Sequence, residues 1–155
     1  MTIDNFTAES AAGGSAKIER AEKNLELLLD ELRLREMPEE IVFQINEKLE
    51  HLKTLPKERK GYVSAVQKTQ KAILQLLEKN LKIVPKNYYK NMGLALGIGA
   101  FGVPLGLAYG MAMGNSAYIG VGIPFGLAIG LSLGKKKDKK AEAEGRQLKF
   151  DVSSI

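Results

Sequence analysis

The chain has 155 residues and a formal net charge of +5, and its charges are distributed very unevenly. From Met92 to Gly134 there are 43 residues without a single Asp, Glu, Lys, Arg or His. No cysteine is present, which excludes disulfides and thiolate nucleophiles. The length indicates one domain, or one small domain with an attached segment.

Three amphipathic helices are predicted before the uncharged block. Residues 1–14 are small and polar, so we expect a flexible arm without a cleavable signal peptide. Apolar residues at spacings of three and four then predict a cytoplasmic helical region over residues 15–85. Its helices are expected from Ser15 to Glu36, from Pro38 to about Pro56, and from Lys57 to Val84, because proline marks each connection.

The first of these helices carries a heptad-like apolar seam formed by Ile18, Leu25, Leu28 and Leu32. Such a seam is typical of coiled coils and helical bundles. We therefore expect either a small bundle or a helix whose seam recognises a cytoplasmic protein partner.

The third helix and the residues after it are strongly basic. Residues 57–90 contain nine Lys or Arg and two acidic residues, a net charge of +7. Attraction to anionic lipid headgroups and a merely solvated basic face both fit this pattern. Nucleic acid is not expected as a partner, because no recognised motif or aromatic stacking platform accompanies the lysines.

The uncharged block is long enough for two membrane crossings, since one crossing needs roughly 20 apolar helical residues. We place a membrane hairpin over residues 86–134, with spans at about 92–113 and 117–134 joined by a turn at Gly114, Asn115 and Ser116. The alternative is a helical hairpin buried inside a soluble protein. The remaining helices are too short to cover two such helices on all sides.

Basic and aromatic residues border the block on both sides and predict its orientation. Positive residues mark the cytoplasmic side, and tyrosine favours the membrane interface. Both ends of the hairpin, and a basic tail over residues 135–155, are therefore expected in the cytoplasm. The anchoring residues are Lys86, Tyr88, Tyr89, Lys90, Lys135, Lys136, Lys137, Lys139 and Lys140.

Within the block a thirteen-residue pattern occurs twice, as GVPLGLAYGMAMG at residues 102–114 and GIPFGLAIGLSLG at residues 122–134. Seven of the thirteen positions are identical. Glycine at every fourth position lets helices approach closely in lipid, so the pattern predicts helix packing and homo-oligomerisation. The two glycine ladders are Gly102, Gly106, Gly110 and Gly114, and Gly122, Gly126, Gly130 and Gly134.

Further small residues, including Gly93, Gly97, Gly99 and Gly120, lie outside these ladders and are expected to provide additional packing surface. Pro104 and Pro124 occupy the same position in the two copies, so we expect two kinks at similar depth. The equal spacing also predicts two structurally equivalent helices related by a pseudo-two-fold axis.

With these ladders and prolines, residues 92–134 resemble the glycine-zipper, two-span membrane proteins, a loosely defined group found in bacteria. The resemblance implies a helical hairpin in a bacterial inner membrane. Its motifs specify helix packing rather than any activity. We therefore expect an all-α protein, an integral membrane hairpin with an N-terminal cytoplasmic region of about three helices.

No catalytic, cofactor-binding or metal-binding motif is found in the sequence, so we do not expect an enzyme. The sole histidine, His51, lies on a charged helix without further ligands at metal spacing. Two functions remain open. The first is a self-associating membrane anchor or scaffold for a cytoplasmic partner. The alternative is an oligomeric pore or membrane-permeabilising effector gated by the cytoplasmic helices.

Overall fold

A computed structural model describes residues 2–6, 16–56 and 61–151, and these residues are mostly helical. They form two compact units. The helical unit comprises Met1–Val84 together with Leu148–Ile155, and the hairpin unit comprises Pro85–Gln147. The chain therefore leaves the helical unit, forms the hairpin unit and returns.

In the helical unit, α1 (Ala16–Arg33) and α2 (Glu39–Lys53) both pack on α3 (Tyr62–Leu81). Each helix turns its apolar stripe inwards, since residues three and four apart share a face. This burial of apolar surface drives the packing of the unit. The fully buried side chains include Leu25, Leu28, Leu29, Leu32, Ile45, Leu49, Leu52, Val66, Ile73 and Leu77.

The third helix is shorter than the sequence predicts. It begins at Tyr62, after Gly61 with a φ of 101°, whereas the predicted start at Lys57 lies outside the described residues. It ends at Leu81, because Lys82 adopts a left-handed conformation with a φ of 55° and leaves the helix.

The described part of the predicted flexible arm, residues 2–6, is docked on the helical unit. Ile3 and Phe6 belong to its hydrophobic core, each only 6% exposed. The side-chain amide of Asn46 donates to the Thr2 carbonyl at 3.0 Å and accepts from the Asp4 N–H at 3.0 Å. The prediction of a flexible arm is corrected for residues 2–6, because the burial of two apolar side chains, Ile3 and Phe6, outweighs the polar composition of the segment. Residues 7–14 of the predicted arm lie outside the described residues.

The hairpin unit consists of two helical arms. The first arm is α4 (Tyr88–Leu96), a π-helical segment (Gly97–Gly102) and α5 (Val103–Ala112). The second is α6 (Ile119–Ala143), which follows a 3₁₀ turn (Ser116–Tyr118) and packs along all three pieces of the first arm.

The turn between the arms is closed by main-chain hydrogen bonds. Gly114 has a φ of 64°, and the N–H groups of Gly114 and Asn115 bond to the carbonyls of Met111 (3.2 Å) and Gly110 (3.0 Å). This pair of bonds defines a Schellman motif, which satisfies carbonyls at the end of a helix. The Asn115 side-chain oxygen accepts from the Ala117 N–H at 2.9 Å and starts the return.

Two short strands, β1 (Val84–Lys86) and β2 (Gln147–Asp151), form a two-stranded sheet, and the boundary between the units falls within each strand. Neither strand is predicted from the sequence. The described part of the predicted basic tail, residues 135–151, begins as helix and ends as a strand. Helix α6 continues to Ala143, Gly145 ends it with a φ of 68°, and β2 follows. Residues 152–155 lie outside the described residues.

Candidate functional site: a glycine-packed hairpin with a basic collar

Glycines bring the two arms of the hairpin into backbone contact. A Cβ atom added at Gly93, Gly97 or Gly106 would lie closer than 3.0 Å to the backbone of α6. The same holds in the opposite direction for Gly122, Gly126, Gly130 and Gly134, whose added Cβ atoms would meet the first arm. Side chains at these positions would hold the arms apart, so glycine is required for this separation.

The π-helical segment keeps the glycines of the first arm on one face. The spacing is four residues from Gly93 to Gly97 and from Gly102 to Gly106, but five from Gly97 to Gly102. In a continuous α-helix the extra residue would add roughly 100° of rotation and place Gly102 roughly 140° around the helix from Gly97. The wider π-turn absorbs the extra residue, and the Val103 N–H bonds to the Ile98 carbonyl five residues before it.

The predicted ladders are only partly paired with each other. Gly102 and Gly106 face Gly122, but Gly130 faces Gly93, and Gly134 faces the backbone of Tyr89 and Lys90. Gly93 and Gly97, which lie outside the predicted ladders, do provide packing surface, and the other arm of the same hairpin occupies it.

The remaining glycines do not pack the two arms together in the same way. An added Cβ at Gly110 would approach Asn115 in the adjoining turn no closer than 3.2 Å, and Gly114 forms that turn. Added Cβ atoms at Gly99 and Gly120 would meet nothing within 4 Å.

The two prolines are in different settings, which corrects the prediction of equivalent helices. Pro104 lies in the first turn of α5, directly after the π-helical segment. Pro124 lies inside α6, which continues as α-helix. A π-turn relieves the clash between a proline ring and the preceding turn, and only the first arm uses one.

The outer surface of the hairpin is apolar and exposed. By length and composition, one helical stretch among the described residues, Tyr88–Ala112, could cross a membrane, and only 17% of its apolar window is buried. A core helix of a soluble protein would be mostly buried. The apolar part of α6, Ile119–Gly134, is followed by lysines, and α6 does not meet this criterion. The exposed apolar side chains include Leu96, Phe101, Leu105, Leu107, Met111, Val121, Phe125, Ile129 and Leu133.

Tyrosine pairs mark the two ends of this apolar surface. Tyr88 and Tyr89 pack edge to face at the start of α4, with ring centroids 5.2 Å apart. Tyr109 and Tyr118 pack in the same manner beside the turn, at 5.7 Å. Aromatic rings of this kind favour both interfaces of a membrane. The second pair is not predicted from the sequence, where only Tyr88 and Tyr89 are identified as interfacial residues.

A basic collar surrounds the open end of the hairpin. It consists of the predicted anchoring lysines Lys86, Lys90, Lys135, Lys136, Lys137, Lys139 and Lys140. Six of the seven are exposed and Lys90 is half-buried. The Lys137 ammonium lies 5.9 Å from the centre of the Tyr89 ring, a cation–π distance.

Asp138 lies within the lysine run and holds the two arms together at this end. Its carboxylate accepts the N–H groups of Tyr89 at 3.0 Å and Lys90 at 2.9 Å, and it is only 8% exposed. A carboxylate at the start of a helix satisfies unpaired N–H groups and faces the positive end of the helix dipole. Asp138 is not predicted as a functional residue from the sequence, because the helix end that it caps is 48 residues away on another helix.

An exposed ion pair follows the collar at the end of α6. The Arg146 Nε donates to a Glu144 carboxylate oxygen at 2.8 Å. This hydrogen bond lowers the pKa of the Glu144 carboxyl, and the same bond raises the pKa of Arg146. Lys140 also lies 3.8 Å from the Glu144 carboxylate. These contacts neutralise the acidic side chain nearest to the end of α6.

The predicted partner seam on α1 is internal, and this prediction is corrected. Leu25, Leu28 and Leu32 are fully buried in the core of the helical unit, and Ile18 packs against that core. The three amphipathic helices of the chain bury each other's apolar faces, so the seam is not available to a partner. The exposed leucines here are instead Leu27 of α1 and Leu34, which directly follows α1.

Leu27 and Leu34 line an open groove of about 750 Å³, together with Phe150 and the carboxylate-bearing Glu31. Glu31 accepts the N–H groups of Lys149 at 2.6 Å and Phe150 at 3.0 Å, so the groove is built by α1 and the returning strand.

A buried pair of polar side chains links α1 and α3. The Tyr62 hydroxyl donates to the Glu22 carboxylate at 2.9 Å, and both residues are nearly inaccessible to solvent. Burial, followed by the neighbouring carboxylate, raises the pKa of Tyr62 well above its usual value. No group of three or more His, Cys, Asp or Glu that could hold a metal ion occurs among residues 2–6, 16–56 and 61–151.

Comparison with known proteins finds no matching family model, no matching curated protein and no matching solved structure. Function must therefore be argued from the hairpin and the collar themselves.

Proposed function

We propose that this protein is a membrane anchor: the hairpin unit inserts into a bilayer from the cytoplasmic side and tethers the folded helical unit. The observation that carries the proposal is the exposed apolar surface of the hairpin, which is free of charge from Met92 to Gly134. In water such a surface would associate with other apolar surfaces. In a bilayer the same apolar surface would contact the lipid tails, which are also apolar.

The dimensions of this surface fit a bilayer. Tyr109 lies twenty positions after Tyr89. This separation corresponds to roughly 30 Å of helix, and the hydrocarbon core is about as thick. The arm on α6 is shorter, because Lys135 follows Tyr118 after seventeen residues, or roughly 25 Å. Lysine side chains near a helix end can extend towards the headgroups and compensate for such a difference.

The orientation follows from the distribution of charge on the hairpin unit. The basic collar lies at the open end, where both connections to the helical unit begin, whereas the turn at Asn115 carries no charged residue. Positive residues remain on the cytoplasmic side of short flanks. Both termini and the helical unit are then cytoplasmic, and the turn faces the opposite side.

Self-association stays a prediction, and the packing within the chain limits how it can occur. The paired glycines are occupied by the other arm, so a second copy would have to contact the outer face of the hairpin. The pore alternative depends on such an assembly. The cytoplasmic partner also stays a prediction, now without the α1 seam as its site.

Alkaline extraction of membranes tests the anchor directly. The full chain is expected in the membrane pellet after carbonate treatment, whereas release into the supernatant would contradict insertion. Orientation is tested with single cysteines on the cysteine-free chain, because Asn115→Cys and Glu142→Cys lie at opposite ends of the hairpin. An impermeant thiol reagent should label them from opposite sides, and labelling from the same side would exclude the hairpin topology.

A further inference from the structure

We infer that the basic collar binds the headgroups of anionic phospholipids, and this inference rests on the proposed membrane anchor. The relevant partner is a lipid phosphate with net negative charge, held at the depth where α4 begins and where the apolar part of α6 ends.

The net positive charge of the chain is located in the hairpin unit. The hairpin unit contains eight of the 23 Lys and Arg residues and three of the 18 Asp and Glu residues. It therefore carries +5, the formal net charge of the whole chain, and the helical unit, with fifteen charges of each sign, is neutral. Residues 57–90 are basic as a sequence segment. In the helical unit, however, acidic residues balance the basic ones, so the net positive charge of the chain lies in the hairpin unit.

The three acidic residues of the hairpin unit lie in three different settings. Asp138 is buried and accepts two backbone N–H groups of α4. Glu144 is paired with Arg146 and lies near Lys140. Glu142 is exposed two residues after Lys140, the last lysine of the collar. Asp138, the acidic residue within the lysine run, thus faces the start of α4.

The lysines themselves are available to a ligand. Within the part of the chain that the structure describes, Lys86, Lys135, Lys136 and Lys139 are exposed and no ion pair to a carboxylate engages them. Ammonium groups beside a membrane span attract anionic lipids, and the attraction falls off within a Debye length.

The two arms present these lysines at one level. An added Cβ at Gly134 would contact the backbone of Tyr89 and Lys90, so Lys90 and Lys135 belong to the same layer of the hairpin. That layer directly follows the apolar surface, where lipid phosphates lie. Tyr88 and Tyr89 add the interfacial rings expected at this depth.

The absence of tryptophan makes the test specific. Two reporter chains carry one tryptophan each, Asn91→Trp near the collar and Ala117→Trp near the turn, and both positions are exposed. Each is reconstituted in vesicles of phosphatidylcholine and phosphatidylglycerol, with bromine on one lipid at a time. Bromine quenches tryptophan on contact, so the ratio of quenching reports local lipid enrichment.

We expect phosphatidylglycerol to be enriched about fivefold at the Asn91→Trp reporter, which corresponds to ~1 kcal/mol, the attraction of one lysine near the surface. No enrichment is expected at the Ala117→Trp reporter. The charge variant Lys135→Gln/Lys136→Gln/Lys139→Gln should lose most of the enrichment. The matched control Lys68→Gln/Lys71→Gln/Lys79→Gln removes the same charge from exposed positions of α3 and should keep it.

Equal quenching by the two lipids at both reporters would overturn the lipid inference and leave the membrane anchor intact. No quenching by either lipid would overturn the anchor and the inference together. Inorganic phosphate, added at an ionic strength matched with chloride, should not change the ratio. If phosphate abolished the enrichment, the collar would be a site for free phosphate and the assignment to lipid would be wrong.

Discussion

The most direct test of the packing between the two arms is the variant Gly126→Ala, which adds a single methyl group. Its Cβ would lie closest to the Gly97 carbonyl oxygen and 2.5 Å from the Gly102 nitrogen, whereas ordinary contacts begin at 3.4 Å. The arms would therefore have to separate by roughly 1 Å. Both atoms belong to the backbone and cannot rotate away. Overpacking of this kind costs about 1–3 kcal/mol.

Gly120→Ala is the matched control, because it adds the same methyl group to the same helix and nothing lies within 4 Å. It should be neutral, or stabilise the hairpin by up to about 1 kcal/mol through helix propensity. The two variants can be compared by thermal unfolding of the full chain in detergent. Spin labels at Asn91→Cys and Ser132→Cys, one on each arm and both exposed, measure the separation directly.

We expect Gly126→Ala to lower the stability and to lengthen the distance between the labels, while Gly120→Ala changes neither in that direction. If the two variants had the same stability and the same label distance, backbone contact between the glycines would not determine how the arms pack. The proposed role of the π-helical segment, which is to keep the glycines of the first arm on one face, would then be refuted as well.

Three further predictions concern polar groups that tie elements together. Asp138→Ala should destabilise the hairpin unit by about 1–2 kcal/mol in thermal unfolding, because two N–H groups at the start of α4 lose their acceptor. Tyr62→Phe should lower the free energy of unfolding by about 1–3 kcal/mol, because buried Glu22 loses a donor. Asn46→Ala should release residues 2–6, seen as faster hydrogen exchange at the Asp4 N–H.

Each of these three predictions has a result that would contradict it. Glu142→Ala alters an exposed acid on the same helix and should leave hairpin stability within about 0.5 kcal/mol of the parent, so an equal loss in both variants would refute the capping role. Unchanged stability of Tyr62→Phe would contradict the buried hydrogen bond. Protection at Asp4 that survives Asn46→Ala would show that the apolar side chains alone hold the segment.

The raised pKa of Tyr62 also predicts a pH dependence. In the unfolded chain this phenol ionises near its usual value of 10.0, whereas in the folded unit it stays protonated to higher pH. The unfolded state therefore binds fewer protons above pH 10.0, and the stabilising contribution, complete below that pH, decreases as pH rises further. The alkaline loss of stability should be smaller in Tyr62→Phe, and identical slopes would refute the assignment.

Much of the helical content and the position of the turn could be predicted from local patterns. Apolar spacing places the three amphipathic helices, and glycine with asparagine at 114 and 115 marks a turn that the backbone makes with the expected left-handed glycine. These features depend on residues within one or two turns of each other, so the order of residues contains the necessary information.

Other features depend on which segments contact each other in the folded structure. The α1 seam is internal because α3 covers it, and Ile3 and Phe6 are buried because the folded unit offers them a core. The strands β1 and β2 are too short to be recognised alone, and they exist through pairing across more than sixty residues of sequence.

The hairpin shows the same division most clearly. The sequence by itself determines an uncharged block with two glycine-rich copies and lysines at both borders. Only the tertiary structure decides which glycines meet, because one π-turn shifts the register and brings Gly93 and Gly97 opposite Gly130 and Gly126. It also turns the one acid of the lysine run, Asp138, towards a helix end. Backbone contact and capping between distant segments have no local signature, since they depend on the separation and rotation of two packed helices.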